Sequence, residues 1–149
     1  MDLERWMDEA LRLAREAGKA GEVPVGCVIL RDGEIVGRGR NRREEQKSAL
    51  AHAEIEAIRE ACERLGDWRL RDCALFVTLE PCAMCAGAIL NARLPVVVYG
   101  LREGRTGACG SVLDLFAEDF GFRPKMYGGV RKAECENLMK EFFSQLREE

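Results

Sequence analysis

Four residues in two short segments combine the side chains that a hydrolytic metal site requires. His52 and Glu54 lie two positions apart, and Cys82 and Cys85 lie three apart, directly after Pro81. Cysteines at this spacing near a helix N-terminus share one face, and the helix dipole favours their thiolate forms. Two thiolates and an imidazole give zinc three ligands and leave a fourth tetrahedral position for water, as a catalytic site needs.

Glu54 can stand beside such a metal without binding it, because it lies only two residues after His52. Zinc lowers the pKa of its water toward neutrality, so a neighbouring carboxyl is needed only to move protons. We therefore predict a hydrolytic site with one zinc ion per chain, in which His52, Cys82 and Cys85 hold the metal and Glu54 is the proton shuttle.

Taken one at a time, these residues have more ordinary explanations. A lone histidine is usually a core or surface residue, and an acid at a helix start complements the helix dipole. A C-x-x-C pair can be a redox couple or half of a structural zinc site. The redox interpretation leaves His52 and Glu54 without a role. A structural site would need a fourth ligand, and the remaining cysteines are Cys27, Cys62, Cys73, Cys109 and Cys135. The apolar patterns around Cys27, Cys62 and Cys73 predict core positions instead.

The composition favours one globular domain in a reducing compartment. The chain has 149 residues, of which 47% are hydrophobic, so we predict a single domain over residues 1–149. No segment has the layout of a secretory signal or the roughly 18 apolar residues of a membrane span. Seven cysteines leave one unpaired in any disulfide scheme. These features predict a cytoplasmic protein with no membrane partner.

A net charge of -3 gives no general attraction to a polyanion, so nucleic-acid binding would need a local patch. One candidate patch lies in residues 38–47, where only two acids, Glu44 and Glu45, oppose five cations. The cations are Arg38, Arg40, Arg42, Arg43 and Lys47. A solvated, charged loop explains this segment equally well.

Hydrophobic periodicity predicts an α/β fold. It predicts helices over residues 3–18, 55–65, 82–91 and 135–146. Pro81 is expected in the first turn of the third helix. Strands are predicted over residues 25–30, 34–39, 73–79 and 94–99. The dipeptide Asp32-Gly33 predicts a hairpin between the first two strands. No element is predicted over residues 41–51 or between Gly100 and Cys135. Helices between strands imply a three-layer α/β/α arrangement around a mixed sheet with a parallel portion.

Together with Pro81, the four residues form the H-x-E…P-C-x-x-C signature of zinc nucleobase deaminases. Along nearly its whole length the chain also resembles the bacterial tRNA-specific adenosine deaminases of the cytidine deaminase-like superfamily. The segments that carry this resemblance are Pro24-Val25-Gly26, Gly37-Arg38-Gly39-Arg40-Asn41, Ala51-His52-Ala53-Glu54-Ile55, Thr78-Leu79-Glu80-Pro81-Cys82, Met84-Cys85-Ala86-Gly87-Ala88 and Thr106-Gly107.

The resemblance implies a cytidine deaminase-like fold and conversion of the wobble adenosine of a tRNA anticodon loop to inosine. It implies substrate contacts from Asn41, Val25, Ala53 and Glu103, and a homodimer whose RNA site uses both subunits. An exposed loop base costs little to flip, so a small domain can act without melting a duplex.

The chain departs from the family pattern at two places, which leave the substrate open. Glu103 stands where the family commonly has Asp. Residues 121–125, Gly-Phe-Arg-Pro-Lys, replace a stretch that commonly contains Asn-His-Arg. An RNA site remodelled for a free base or nucleoside (guanine, cytosine or adenosine) is the alternative substrate hypothesis.

Overall fold

The computed structural model describes residues 1–148 and has a five-stranded sheet between two layers of helices. Its helices are α1 (Leu3–Lys19), α2 (Arg43–Gln46), α3 (Ala53–Leu65), α4 (Ala83–Asn91) and α5 (Lys132–Glu148), and a short 3₁₀ turn spans Leu115–Ala117. Its strands are β1 (Gly26–Arg31), β2 (Glu34–Arg40), β3 (Cys73–Leu79), β4 (Val96–Leu101) and β5 (Lys125–Tyr127). The predicted three-layer α/β/α class is confirmed.

The sheet has the strand order β2-β1-β3-β4-β5 and is mixed, as predicted. β1 pairs antiparallel with both β2 and β3, whereas β3, β4 and β5 run parallel. The carboxyl ends of β3 and β4 therefore meet at one edge, together with the start of β1 and the end of β2. Ligands of open α/β sheets bind at such an edge, so the topology brings Val25, Asn41 and Leu79 to one place.

Successive residues of β1 and β3 point to opposite layers, as strand geometry requires. Cys27 and Leu75 join the core under α3 and α4, whereas Val28 and Phe76 join the core under α1 and α5. Both faces of the sheet are covered, which explains why the central strands are apolar throughout.

Two glycines of β2 let α3 approach the sheet closely. A Cβ at Gly39 would lie 2.1 Å from the Ala53 carbonyl oxygen, and one at Gly37 would lie 2.2 Å from that of Ala57. The first turn of α3, which follows His52, is thereby held directly against β2.

The prediction from sequence missed or shifted several elements. It missed the single turn of α2 and the three-residue edge strand β5, because neither is long enough to show a period. β4 begins at Val96 rather than at residue 94, since Pro95 has no N–H to donate to a ladder. Pro81 precedes α4 instead of lying in its first turn, because Cys82 is the N-cap residue. No helix within residues 1–148 is long and apolar enough to cross a membrane.

Candidate metal centre and active-site cavity

The three predicted metal ligands meet where two helices begin. His52 is the N-cap residue of α3, Cys82 is that of α4, and Cys85 lies in the first turn of α4. The Nδ1 atom of His52 is 3.7 Å from Cys82 Sγ and 3.5 Å from Cys85 Sγ. All three ligand atoms lie within 4.8 Å of one another. The two segments that the sequence separates by about thirty residues are thus one cluster.

The spacing of these atoms fits a zinc ion. With Zn–S bonds of about 2.3 Å and Zn–N bonds of about 2.0 Å, tetrahedral ligands lie roughly 3.6 Å apart. The measured N–S separations of 3.7 and 3.5 Å match this value. Within residues 1–148 the cluster has no fourth ligand from a histidine, cysteine or acidic residue. This favours a metal with one open coordination position over a closed structural site.

The two thiols of the cluster have opposite proton affinities. A hydrogen bond from Cys85 to Cys82 lowers the pKa of Cys82 to about 3, and the same contact raises the pKa of Cys85 above its usual value. Hydrogen bonding to Cys82 also raises the pKa of His52. The low pKa favours the thiolate form of Cys82, which is the form in which sulfur binds metals.

Glu54 is buried beside the cluster and is not a solvated residue at a helix start. Its side chain is only 4% exposed, and burial raises its pKa to about 7. A carboxyl with this pKa can both take up and release a proton near neutral pH, which suits a general acid and base.

A cavity of about 170 Å³ opens in front of the cluster. Its wall combines three residues of the cluster region with apolar, polar and charged side chains from four other short segments. The lining residues are Val23, Val25, Asn41, Arg43, His52, Glu54, Leu79, Glu80, Cys82 and Thr106. A concave site with a few convergent polar groups and one acid of perturbed pKa is the usual form of an active site.

Asn41 both supports its loop and faces the cavity. It is buried, its Nδ2 donates to the Val23 carbonyl (3.3 Å), and its Oδ1 accepts from the Arg43 N–H (3.1 Å). An amide has two donor hydrogens and two acceptor lone pairs. One N–H and one lone pair therefore remain for a ligand.

The other predicted substrate contacts differ in their placement. Val25 lines the cavity, whereas Ala53 is fully buried at the start of α3 and does not line it. Glu103 lies outside it, in a groove with Arg105 and Thr106, and only Thr106 is shared with the cavity. Residues 121–125 do not line the cavity and lead into the edge strand β5. The substrate contacts of these three residues and of Asn41 stay predictions.

Two cations of the predicted basic patch, Arg40 and Arg42, are held in ion pairs. Arg40 pairs with Glu45 at 3.1 Å, and Arg42 pairs with Glu45 at 2.6 Å and with Glu56 at 2.9 Å. The exposed Arg43 lines the cavity instead. Arg38 and Lys47 are also exposed, so three cations of the predicted patch face solvent and the patch stays a prediction.

Sequence reasoning assigned no role to Glu80, which organises the opposite wall. Its buried carboxylate accepts from the N–H groups of Glu103 (3.1 Å), Cys109 (3.0 Å) and Ser111 (3.1 Å), and from the Ser111 hydroxyl. Burial alone raises the pKa of a carboxyl, but these hydrogen bonds outweigh it and lower that of Glu80. The contacts join residues 23 to 31 positions apart, so only its place next to Pro81 could have drawn attention to it.

Proteins of known function resemble this chain along most of its length. The MafB19-like deaminase family matches residues 1–147. A tRNA-specific adenosine deaminase of Streptococcus pyogenes serotype M18 is 46% identical over 144 residues, which are 96% of this chain and 91% of that protein. A tRNA(Ile)-lysidine synthase of Deinococcus radiodurans is 51% identical over 95% of this chain, but the chain spans only 24% of that protein.

Two solved structures share the fold at similar identity. One, from a study of A-to-I editing by tRNA deaminases at the wobble position, has a TM-score of 0.86 and 41% identity over 90% of this chain and 98% of that chain. Guanine deaminase from Bacillus subtilis has a TM-score of 0.68 and 40% identity over 78% of this chain and 74% of that chain.

Proposed function

The chain belongs to the MafB19-like deaminase family, and we propose that it is a tRNA-specific adenosine deaminase that converts the wobble adenosine of an anticodon loop to inosine. The observation that carries the chemistry is the buried carboxyl of Glu54 beside the three-ligand cluster. The proposed substrate is supported by two relatives, 46% and 41% identical to the chain, which are described as tRNA deaminases.

His52, Cys82 and Cys85 would hold one zinc ion per chain. When bound there, zinc supplies a water molecule of lowered pKa at its fourth position. The cluster contains no protein group that would fill that position within residues 1–148. The same three side chains would place the metal next to Glu54, which is the base that hydrolysis needs.

Glu54 moves the protons of the reaction. In hydrolytic deamination, water oxygen replaces the amino group at C6 of adenine, and ammonia leaves. The Glu54 carboxylate takes a proton from the attacking water, gives it to the ring nitrogen N1, and later delivers the second water proton to the departing amino group. Its pKa of about 7 allows each of these transfers at neutral pH.

Asn41 and the neighbouring wall hold the base in place. The free N–H and lone pair of Asn41 can donate to and accept from the target nucleotide. Val23, Val25 and Leu79 supply apolar contacts to the flipped base. Within the tRNA proposal, Ala53 and Glu103 stay predicted substrate contacts, Glu103 with a ribose or the RNA backbone. All seven cysteines are free, which is typical of a protein that acts in the reducing cytoplasm.

A deaminase of a free base is the second candidate, because a guanine deaminase is 40% identical to the chain over 78% of its length. We expect the purified protein to form inosine in an anticodon stem-loop and to release little ammonia from guanine, cytosine or free adenosine. A matched stem-loop with guanosine at the wobble position is the control. Inactivity on the adenosine stem-loop combined with turnover of a free base would replace the tRNA proposal by this second one.

We also propose that the protein is a homodimer. α4 leaves a face of small and apolar side chains, Ala83, Met84, Gly87 and Ala88, incompletely buried, and the exposed Val112 and Leu113 add apolar surface. Burial of apolar surface drives association. Sedimentation equilibrium is expected to give twice the chain mass of 16.7 kDa, and a monomer at micromolar concentration would contradict the proposal.

A further inference from the structure

Glu22 is a buried acid for which the chemistry above has no use. Its side chain is 2% exposed and lies between the end of α1 and the start of β1. Oε1 accepts from the N–H of Glu44 at 3.1 Å, and Oε2 accepts from the N–H of Glu45 at 2.7 Å. Burying a carboxyl is costly unless hydrogen bonds compensate for the lost water. Here both compensating bonds come from the backbone of α2.

The helix that Glu22 holds has only one turn, over Arg43–Gln46. A single helical turn is unstable by itself, because nucleation fixes several dihedral angles for one hydrogen bond. Its first N–H groups also have no partner within the helix. The carboxylate of Glu22 supplies those partners from 22 and 23 residues away, so the conformation of α2 depends on it.

The same helix carries part of the cavity wall. Asn41 donates from its backbone N–H to the Val25 carbonyl at 3.1 Å and from Nδ2 to the Val23 carbonyl at 3.3 Å. Arg43, the first residue of α2, lines the cavity and donates its N–H to Asn41 Oδ1. Residues 22–25 therefore hold the segment at 41–45 through a continuous set of hydrogen bonds that begins at Glu22.

We propose that Glu22 is a positioning residue for the substrate: through α2 it fixes Asn41 and Arg43 at the cavity, although it does not line the cavity itself. The proposal rests on the proposed function, since it takes the cavity to be the binding site of the target nucleotide. Loss of either hydrogen bond would let α2 move and would misplace the amide of Asn41.

A double-mutant cycle tests this coupling. Glu22→Gln keeps the size of the side chain but places an NH₂ group against one of the two N–H donors. We expect kcat/KM on the stem-loop to fall about tenfold, mainly through KM, with zinc content unchanged. In an Asn41→Ala background the same substitution is expected to lower kcat/KM clearly less, by about threefold or under, because one of the two residues that Glu22 positions is gone. Glu16→Gln, at an exposed position of α1, is the matched control.

Equal effects of Glu22→Gln in both backgrounds would overturn the proposal, since a general loss of stability is additive with Asn41→Ala. Unchanged activity of the single variant would overturn it as well. Should Glu22→Gln fail to fold, Glu22→Asp carries the same comparison, because it keeps the carboxylate but is too short to reach both amides.

Failure of the positioning role of Glu22 can be distinguished from failure of the proposed function. If the wild type deaminates a free base and not the stem-loop, the tRNA proposal fails, and the cycle is measured on that base. Amide hydrogen exchange gives a readout without turnover: the amides of Glu44 and Glu45 are expected to exchange faster in Glu22→Gln. Unchanged exchange at these amides overturns the positioning role whatever the substrate is.

Discussion

Glu54→Gln is expected to lower kcat for deamination by about a thousandfold or more while one zinc ion per chain remains bound. General acid–base catalysis by one side chain contributes roughly 10²- to 10⁴-fold, and Glu54 moves protons both onto the ring and onto the leaving group. Glutamine has the same size but cannot accept and return a proton. Because Glu54 stands beside the three ligands without joining them, the metal should be retained. Ammonia release and elemental analysis measure the two quantities.

Glu63→Gln is the matched control for this prediction. It is the same substitution in the same helix, but Glu63 is exposed and lies outside the cavity. We expect its kcat to stay within about twofold of the wild type. If Glu54→Gln keeps more than a tenth of the wild-type kcat, Glu54 does not carry out the proton transfers. Loss of zinc from that variant would instead mean that Glu54 supports the metal.

The parts of the site that sequence could predict are those in which local chemistry determines local structure. Cys82 and Cys85 are brought together by one helical turn, and His52 and Glu54 by the start of another. The hairpin between β1 and β2 was predictable because Asp32 and Gly33 favour the positive φ angles, 52° and 75°, that its turn requires. These signals act over a few residues, so periodicity and turn chemistry detect them.

The parts that sequence could not predict depend on contacts between distant residues. Glu22 accepts hydrogen bonds from two N–H groups of α2, and Glu80 accepts hydrogen bonds from the loop that contains Thr106. Neither acid differs in sequence from an ordinary surface glutamate. The pairing of Arg40 and Arg42 with Glu45 is also a property of the folded loop. Sequence could therefore not show which cations of the basic cluster are paired and which stay exposed.

Cys85→Ala is expected to abolish both zinc binding and deamination. Cys85 is fully buried, and its Sγ is one of the three ligand atoms that residues 1–148 bring together in the cluster. Two remaining ligands bind zinc far more weakly, and a metal that binds only the folded chain also stabilises it. We therefore expect the zinc content to fall from one ion per chain to nearly none. The melting temperature of the wild type should drop on addition of a chelator, whereas that of Cys85→Ala should not change.

Cys135→Ala separates loss of a ligand from loss of a buried sulfur. Cys135 is 2% exposed and lies in α5, outside the metal cluster. The substitution removes the same volume and should cost a similar amount of packing energy, but zinc, activity and the response to chelator should persist. Stoichiometric zinc in Cys85→Ala would show that the metal is bound elsewhere. Equal loss of zinc in both variants would show that the metal responds to packing of the fold rather than to one ligand.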